Sequence, residues 1–242
     1  MDLFEIEKPL VGDPSRVYLL KRVLDLSNSR TRVLDVGCGT CSLWEPIIGK
    51  WKFELWGIDI DEGKIEMAKK VVKDEGRIRA GDARNLSKIF PASFFDIVVS
   101  TQVFYQIGDL KKVLEEIYLV LKPGGKLLFT TELPRGDKLS VTRLLFKLLE
   151  HIKGRALPKR RDEKEMAILL QETGFEVQNI RFHHIPPLKF IHNQIVSNEN
   201  KNKVMSKWLE LEEELMKDAN FRTQGRIYCR NLFMEAVKRE YK

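Results

Sequence analysis

The chain has 242 residues, of which 43% are hydrophobic and 32% are charged, a balance typical of a globular domain. No apolar run approaches the roughly 18 residues that a membrane-spanning helix needs. The start, Met1-Asp2-Leu3-Phe4-Glu5, lacks the charged-then-apolar order of a signal peptide. The three cysteines are too few for a disulfide framework. We therefore expect a single cytoplasmic domain over residues 1–242.

The most informative stretch runs from Val33 to Ser42. An apolar run containing Asp35 leads into two glycines, Gly37 and Gly39, which is typical of a buried strand that breaks into a tight turn. Glycines in such a turn let the backbone approach a ligand closely. A dinucleotide-binding loop is disfavoured, because Ser42 replaces its third glycine and the Asp35 carboxylate would repel a pyrophosphate.

Predicted strands and helices alternate along the chain. The patterns predict strands over 32–36, 53–60, 77–80, 95–100, 126–131 and 175–184, with a further strand within 226–239. They predict helices over 15–26, 43–49, 62–74, 110–121 and 138–152, one that begins after Asp162, and one that includes Val204 to Leu215. Such alternation is typical of a parallel sheet covered by helices on both faces.

Three motifs, in order, resemble those of the class I S-adenosylmethionine (SAM)-dependent methyltransferases. The run from Asp35 resembles the family's D-x-G-x-G-x-[GS], with Cys41 at its last position, residues 95–100 fit F-D-x-V-x-[SCN], and residues 121–127 fit L-K-P-G-G-x-L. The match covers residues 15–131. It implies an α/β fold, a three-layer α/β/α sandwich with a mostly parallel seven-stranded sheet in the order 3-2-1-4-5-7-6 and an antiparallel last strand. The core would span 15–184 and 226–240, with helical insertions at 133–161 and 185–225.

The resemblance also implies S-adenosyl-L-methionine as the cofactor. Asp59, 20 residues after Gly39, would accept both ribose hydroxyls, and Ile60 would lie against the adenine. Asp82 would receive the adenine amino group, with the backbone N–H of Ala83 nearby. The remaining cofactor-binding positions that the resemblance implies are Asp35, Gly37, Cys38, Gly39 and Thr101.

Two further features belong to the cofactor region. The family has a helix that leans over the cofactor, so Arg16 or Tyr18 is a candidate for contact with the cofactor's carboxylate. Cys38 and Cys41 form a C-x-x-C, which suggests either a redox pair or half a metal site. Because neither a second C-x-x-C nor a nearby histidine cluster completes a zinc site, we expect no metal and interpret both cysteines as variable loop positions.

Methyl transfer requires alignment of the acceptor more than acid–base chemistry. A general base is needed where the acceptor must lose a proton. The candidates for this catalytic role are His183, His184 and Tyr105. Adjacent residues of a strand point to opposite faces, so at most one of the two histidines should face the site.

The acceptor is predicted by exclusion to be a small molecule. Ser100-Thr101-Gln102-Val103 stands where methyltransferases of nucleic-acid bases carry Asn/Asp-Pro-Pro-Tyr/Phe, and the Pro-Cys pair typical of cytosine C5 enzymes is absent. The aromatic residues suggest an apolar or lipid-like acceptor; those in question are Phe104, Tyr105, Phe146, Phe190 and Trp208. The net charge of +7 and the basic stretch 153–161 leave an RNA or protein substrate open, and a non-catalytic SAM-binding subunit is a further alternative. The sequence does not determine the oligomeric state.

Overall fold

The computed structural model describes residues 13–73, 76–134, 159–183, 196–223 and 229–239. They include a seven-stranded sheet in the order β3-β2-β1-β4-β5-β7-β6, in which β7 runs antiparallel to both of its neighbours. The strands are Arg32–Val36 (β1), Glu54–Asp59 (β2), Ile78–Ala80 (β3), Phe95–Thr101 (β4), Leu121–Glu132 (β5), Phe175–His183 (β6) and Asn231–Lys238 (β7). The expected strand order and the antiparallel last strand are confirmed.

Helices cover both faces of this sheet and give the expected three layers. They are Pro14–Leu26 (α1), Glu62–Val72 (α2), Leu86–Ile89 (α3), Leu110–Val120 (α4), Glu163–Glu172 (α5), Lys201–Lys217 (α6) and Ala219–Thr223 (α7). One face of the sheet packs against α1, α2 and α6, and the other packs against α3, α4 and α5. Side chains of β4 alternate between these two cores, as expected for a strand buried on both sides.

Aspartates set the start of three helices. Asp61 precedes α2, and the side chain of Asp109 accepts a hydrogen bond from the backbone N–H of Lys112 in α4. Asp162 and Glu165 complete a capping box at the start of α5. All three starts follow from the local sequence, because a capping carboxylate satisfies backbone N–H groups that the first helical turn leaves unpaired.

Two predictions of local structure are wrong. Instead of a helix over 43–49, the chain forms a single 3₁₀ turn at Glu45–Ile47, because Pro46 leaves too few backbone donors for an α-helix. Strand β5 was predicted over 126–131 but begins at Leu121, directly after α4. Gly124 adopts a φ of 70°, which lets the Pro-Gly-Gly run turn without leaving the sheet. The helix predicted over 138–152, and with it most of the 133–161 insertion, lies outside the described residues.

The long insertion helix α6 is part of the core. Met205 and Trp208 are buried, and the indole Nε1 of Trp208 donates to Glu212 at 2.7 Å. Glu212 also lies 2.6 Å from Nδ1 of His183 on β6, so a buried polar chain fixes the helix to the edge of the sheet. None of the helices within the described ranges is long and apolar enough to cross a membrane.

Glu235 of β7 is a buried carboxylate held by two cations. Arg22 Nε donates to one of its oxygens at 2.8 Å, and Lys126 Nζ donates to the other at 2.7 Å. Burial is the largest influence on its pKa and raises it, but together the two hydrogen bonds and their charges outweigh burial and lower the pKa below 4.5. The cluster therefore stabilises the fold above that pH, and the stabilisation is lost as the pH falls through the folded-state pKa.

We expect Glu235→Gln to lower the free energy of unfolding by about 1–3 kcal/mol at neutral pH, because hydrogen bonds to a charged group contribute about this much. Urea denaturation measures the change. The difference from wild type should shrink as the pH falls below 4.5, because the carboxylate then takes up a proton more readily in the unfolded chain than in the folded one. The exposed Glu176 of β6 supplies the control variant Glu176→Gln, which should change little. An equal loss of stability at both pH values would contradict an electrostatic role for Glu235.

Candidate functional site

A cavity of about 710 Å³ opens where β1, β2, β3 and β4 end. Its volume lies within the range typical of small-molecule sites. Ligands of open parallel sheets bind at this carboxyl edge, where the strand order reverses between β1 and β4. Most of the predicted cofactor residues line its wall; they are Gly37, Gly39, Asp59, Ile60, Asp82, Ala83 and Thr101.

The glycine loop after β1 packs tightly against the loop after β4. Gly37 has a φ of +75°, and a Cβ added there would lie 2.4 Å from Cγ2 of Val103. The backbone N–H groups of Gly37 and Cys38 both donate to the carbonyl of Ile58, at 2.7 and 3.1 Å. The loop is thus fixed to β2 on one side and meets the β4 loop on the other, and glycine is the residue that this approach permits.

Asp59 joins the glycine loop to the end of β2. Its Oδ2 accepts the backbone N–H of Gly39 at 2.8 Å, and its Oδ1 accepts the N–H of Asp61 at 3.0 Å. Each carboxylate oxygen can accept more than one hydrogen bond, so these contacts orient the group and leave acceptor capacity towards the cavity. The position is the one predicted for binding the ribose.

Asp82 has a partner that the sequence did not reveal. Arg84 donates from Nε to both carboxylate oxygens, at 3.0 and 2.9 Å, and its backbone N–H donates as well. The hydrogen bonds from Arg84 lower the pKa of Asp82, so the carboxylate stays ionised. A ligand amino group at Asp82 would therefore share this carboxylate with Arg84, which itself lines the cavity.

Asp35 and Cys38 lie behind the cavity wall, at 1% and 8% exposure, and neither is among the residues that line it. Trp44 Nε1 donates to Oδ2 of Asp35 at 2.7 Å. Burial raises the pKa of Asp35 to about 7, while the Trp44 hydrogen bond and the charge of Arg16 oppose that increase. Asp35 is thus a buried acid that changes charge near neutral pH.

Gln102 follows β4 with a left-handed backbone, at a φ of +60°. Its N–H donates to the carbonyl of Thr130 at 2.9 Å, and its side-chain Nε2 lies 3.4 Å from Oγ1 of the same residue. A left-handed conformation is unusual for a residue with a side chain and is often found at functional sites. Gln102 lines the cavity, and its hydrogen bonds to Thr130 fix its position there.

Beside the cavity, Tyr105 forms a cluster with Glu132 and Arg160. Arg160 Nε donates to Glu132 at 2.7 Å, and its guanidinium lies 5.6 Å from the centre of the Tyr105 ring. The backbone N–H of Lys159 donates to the Tyr105 carbonyl at 2.7 Å. Burial, and then the charge of Glu132, raise the pKa of the Tyr105 hydroxyl. Tyr105 is therefore a hydrogen-bond donor at neutral pH rather than a base.

His183 lies apart from the cavity. It is 3% exposed and bonded to Glu212, and β6 is separated from β4 by β7 and β5, so the two strands are about 14 Å apart at the usual strand spacing. Its Nε2 is buried without a hydrogen-bond partner in the described part of the chain. His184 lies outside the described residues. Among the residues that the structure describes, no cluster of His, Cys, Asp and Glu side chains could hold a metal ion.

Comparison with known proteins gives the family. Residues 34–129 match the model of a methyltransferase domain. A demethylmenaquinone methyltransferase of Staphylococcus saprophyticus is 33% identical over 164 residues, which are 64% of this chain and 68% of that protein. A malonyl-[acyl-carrier protein] O-methyltransferase of Priestia megaterium is 33% identical over 106 residues, which are 43% of this chain and 38% of that protein. The chain therefore belongs to the class I SAM-dependent methyltransferases, and SAM is its cofactor.

Solved structures agree with this fold. One of them is phosphoethanolamine N-methyltransferase 2 of Haemonchus contortus in complex with SAM, with a TM-score of 0.61 and 22% identity to this chain. The match covers 93% of this chain and 52% of that protein's chain. At this level of identity the likeness shows the fold and leaves the acceptor undetermined.

The residues at the cavity fit this cofactor. The amino-acid end of SAM carries an ammonium and a carboxylate. Within the described ranges three buried polar atoms near the loops after β1 and β4 have no hydrogen-bond partner, and they are Oδ1 of Asp35, Nε of Arg16 and Oε1 of Gln102. The two oxygens suit an ammonium and the guanidinium suits a carboxylate. Arg16 is also fixed at the loop, since it donates to Ser42 Oγ at 3.2 Å.

Sequence reasoning missed several residues of this site. Trp44 and Arg84 gave no motif, because their roles depend on which side chain each one meets. Glu132 and Arg160 are 28 positions apart and meet across an insertion.

We expect Gly37→Ala to destabilise the protein and to abolish measurable SAM binding, because the new methyl group would overlap Val103 in a backbone conformation that disfavours side chains. Thermal unfolding and calorimetric SAM titration measure the two effects. Gly49→Ala is the matched control, since Gly49 has the same φ of +75° but an added Cβ there would meet nothing within 4 Å, and Gly49 does not line the cavity. Adding Val103→Ala should restore part of the stability of Gly37→Ala. If the second substitution gave no recovery, the proposed steric cause would be wrong.

Proposed function

We propose that this chain transfers the methyl group of SAM to a small-molecule or lipid-like acceptor. The observation that carries the proposal is the convergence of the family's cofactor positions on one cavity beside the Tyr105 cluster. Bound SAM supplies a methyl group already activated by the neighbouring sulfonium charge. The protein's task is then to bind SAM, orient the acceptor and exclude water.

In the proposed arrangement, the cofactor extends from Ile60 and Asp82 at one end to Asp35 and Arg16 at the other. Ile60 is 71% exposed on the cavity wall and offers an apolar surface to the adenine. Asp59 accepts the ribose hydroxyls, and the opposite charges of Asp35 and Arg16 bind the amino-acid end. These roles are supported by position and chemistry.

The acceptor would approach past Tyr105. Tyr105 directly precedes Gln106 of the cavity wall, and its ring lies beside the Arg160–Glu132 ion pair. Because its hydroxyl keeps its proton at neutral pH, Tyr105 would orient the acceptor by donating a hydrogen bond. That His183 acts as a general base stays a prediction. The distance between its strand, β6, and β4 argues against that role.

The structure removes part of the support that the aromatic residues of the sequence gave to an apolar acceptor. Phe104 packs on Phe129 in the core, and Trp208 of α6 is buried there too. Neither residue lines the cavity. Phe146 and Phe190 lie outside the described residues. Support for a small or lipid-like acceptor therefore comes from the relative named for demethylmenaquinone and from the size of the cavity.

An RNA- or protein-directed enzyme is the first alternative. Of the basic stretch 153–161, residues 159–161 are described, and Glu132 already neutralises Arg160 among them. That pairing weakens the case for phosphate contacts at this point.

A non-catalytic SAM-binding subunit is the second alternative. Such a subunit would bind SAM without transferring its methyl group.

We expect wild-type protein to bind SAM and S-adenosylhomocysteine, and Asp59→Ala to weaken both by about 10- to 100-fold, since hydrogen bonds to an ionised carboxylate contribute about 1.5–3 kcal/mol. Isothermal calorimetry measures this, with NAD as the negative ligand. Glu62→Gln, an exposed change in the first turn of α2, is the matched control and should leave affinity unchanged. SAM binding that is indifferent to Asp59 would remove the proposed ribose contact.

The fate of the methyl group separates the alternatives. Incubation of a cell extract with the protein and methyl-tritiated SAM should place the label in small organic-soluble molecules. Asp59→Ala should reduce the incorporation. Label in the RNA or protein fraction would favour a macromolecular acceptor, and intact SAM binding without any transfer would favour the non-catalytic subunit.

Asp35 predicts a pH dependence. The SAM ammonium favours the ionised carboxylate, so SAM affinity should increase as the pH rises through about 7. Calorimetry at several pH values should show this dependence in wild type and a flat, weaker response in Asp35→Asn.

The same acid predicts an opposite effect on the SAM-free protein. Because folding raises the pKa of Asp35 from 3.8 to about 7, its ionisation costs stability progressively as the pH rises through that window. Asp35→Asn should therefore raise the unfolding temperature above neutral pH while it weakens SAM binding. A mutant that loses both affinity and stability would contradict this account of Asp35.

A further inference from the structure

The Cys38–Cys41 pair is a feature of the glycine loop that cofactor binding does not explain. Cys38 stands between Gly37 and Gly39, and Cys41 closes the turn with its backbone N–H, which donates to the carbonyl of Cys38 at 2.9 Å. Both thiols are buried in the core on the α1 face of the sheet. The Cys38 thiol lies 3.8 Å from the carbonyl oxygen of Gly39, and the Cys41 thiol, followed by burial, raises the pKa of Cys38.

The turn brings the two residues within disulfide range. A turn closed by a hydrogen bond between its first carbonyl and fourth N–H keeps its end Cα atoms less than about 7 Å apart. Disulfides join cysteines whose Cα atoms lie about 4.4–6.8 Å apart. Cys41 also has a φ of +60°, an unusual conformation for a residue with a side chain. The third cysteine, Cys229, belongs to the core on the opposite face of the sheet.

We propose that Cys38 and Cys41 form a reversible disulfide when the protein meets hydrogen peroxide, and that this bond weakens cofactor binding. One thiolate displaces hydroxide from the peroxide and becomes a sulfenic acid, and the second thiolate then displaces hydroxide from that sulfur. The two sulfurs lose two electrons in total, the peroxide is reduced, and the two thiol protons leave with the two hydroxides as two water molecules. A dithiol restores the pair by thiol–disulfide exchange.

The effect on the cofactor follows from the place of Cys38. Its thiol packs against Gly57 of β2, where an added Cβ would lie 2.9 Å from Sγ. The two sulfurs must come together to the disulfide bond length of about 2.05 Å, which alters the packing of Cys38 against β2. The neighbouring Gly39 N–H binds Asp59, so this movement would disturb the proposed ribose contact. That consequence rests on the proposed function, whereas formation of the disulfide does not.

Burial of the thiols predicts that the reaction depends on the state of the loop. Peroxide can reach buried thiols when the loop opens, and a bound cofactor should hold the loop closed. Because the two equilibria are linked, a disulfide that weakens SAM binding implies that SAM protects the dithiol from oxidation.

The experiment treats the full-length protein with hydrogen peroxide, with and without S-adenosylhomocysteine, and then blocks the remaining thiols with iodoacetamide. Intact-mass and peptide analysis should show loss of two hydrogens and a Cys38–Cys41 cross-link that dithiothreitol removes. Cys229→Ser should form the same cross-link, whereas Cys41→Ser should not. S-adenosylhomocysteine should slow the reaction, and the oxidised protein should bind SAM about tenfold more weakly in calorimetry.

Each outcome decides the proposal. Absence of the cross-link in wild-type protein, or a cross-link to Cys229, would overturn it, and neither result depends on whether a variant folds. A cross-link that leaves SAM affinity unchanged would overturn the effect on binding. Failure of the reduced wild-type protein to bind SAM would refute the proposed function. The mass analysis would still show whether the disulfide forms.

Discussion

The contact between Gly37 and Val103 is the interaction on which the cavity depends. It brings the loop after β1 and the loop after β4 together at the carboxyl edge of the sheet, with no room for a side chain on Gly37. The parallel arrangement of β1 and β4 makes the meeting possible, because both strands end at the same edge. Asp59 and Gln102 are then placed by hydrogen bonds to these loops or to the neighbouring strand.

Three buried carboxylates, Glu235, Glu116 and Asp35, are of two kinds. Glu235 and Glu116 receive hydrogen bonds on both oxygens, and their pKa values are lowered, so each contributes to stability at neutral pH. Asp35 receives a hydrogen bond from Trp44 on one oxygen, and its pKa is raised instead. A buried acid that costs stability is expected where a cationic ligand completes its environment.

The proposed acceptor side is built differently from the proposed cofactor side. The proposed cofactor side consists of strand ends and tight loops, whereas Tyr105, Glu132 and Arg160 bring together a loop, a strand end and the segment before α5. Such contacts between distant segments can change with the insertions around them while the sheet stays the same. The relatives that this chain resembles are named for different acceptors, as contacts of this kind would allow.

The sequence alone determined the helix starts at Asp109 and Asp162 and the course of the buried strands, because capping residues and apolar runs are local patterns, whereas the strand order and the expected cofactor positions came from the family resemblance. Tertiary structure decided what each polar side chain meets. Trp44 engages Asp35, and Glu212 engages His183. These pairings join residues on separate elements, and their energies depend on burial and distance, which no local pattern encodes.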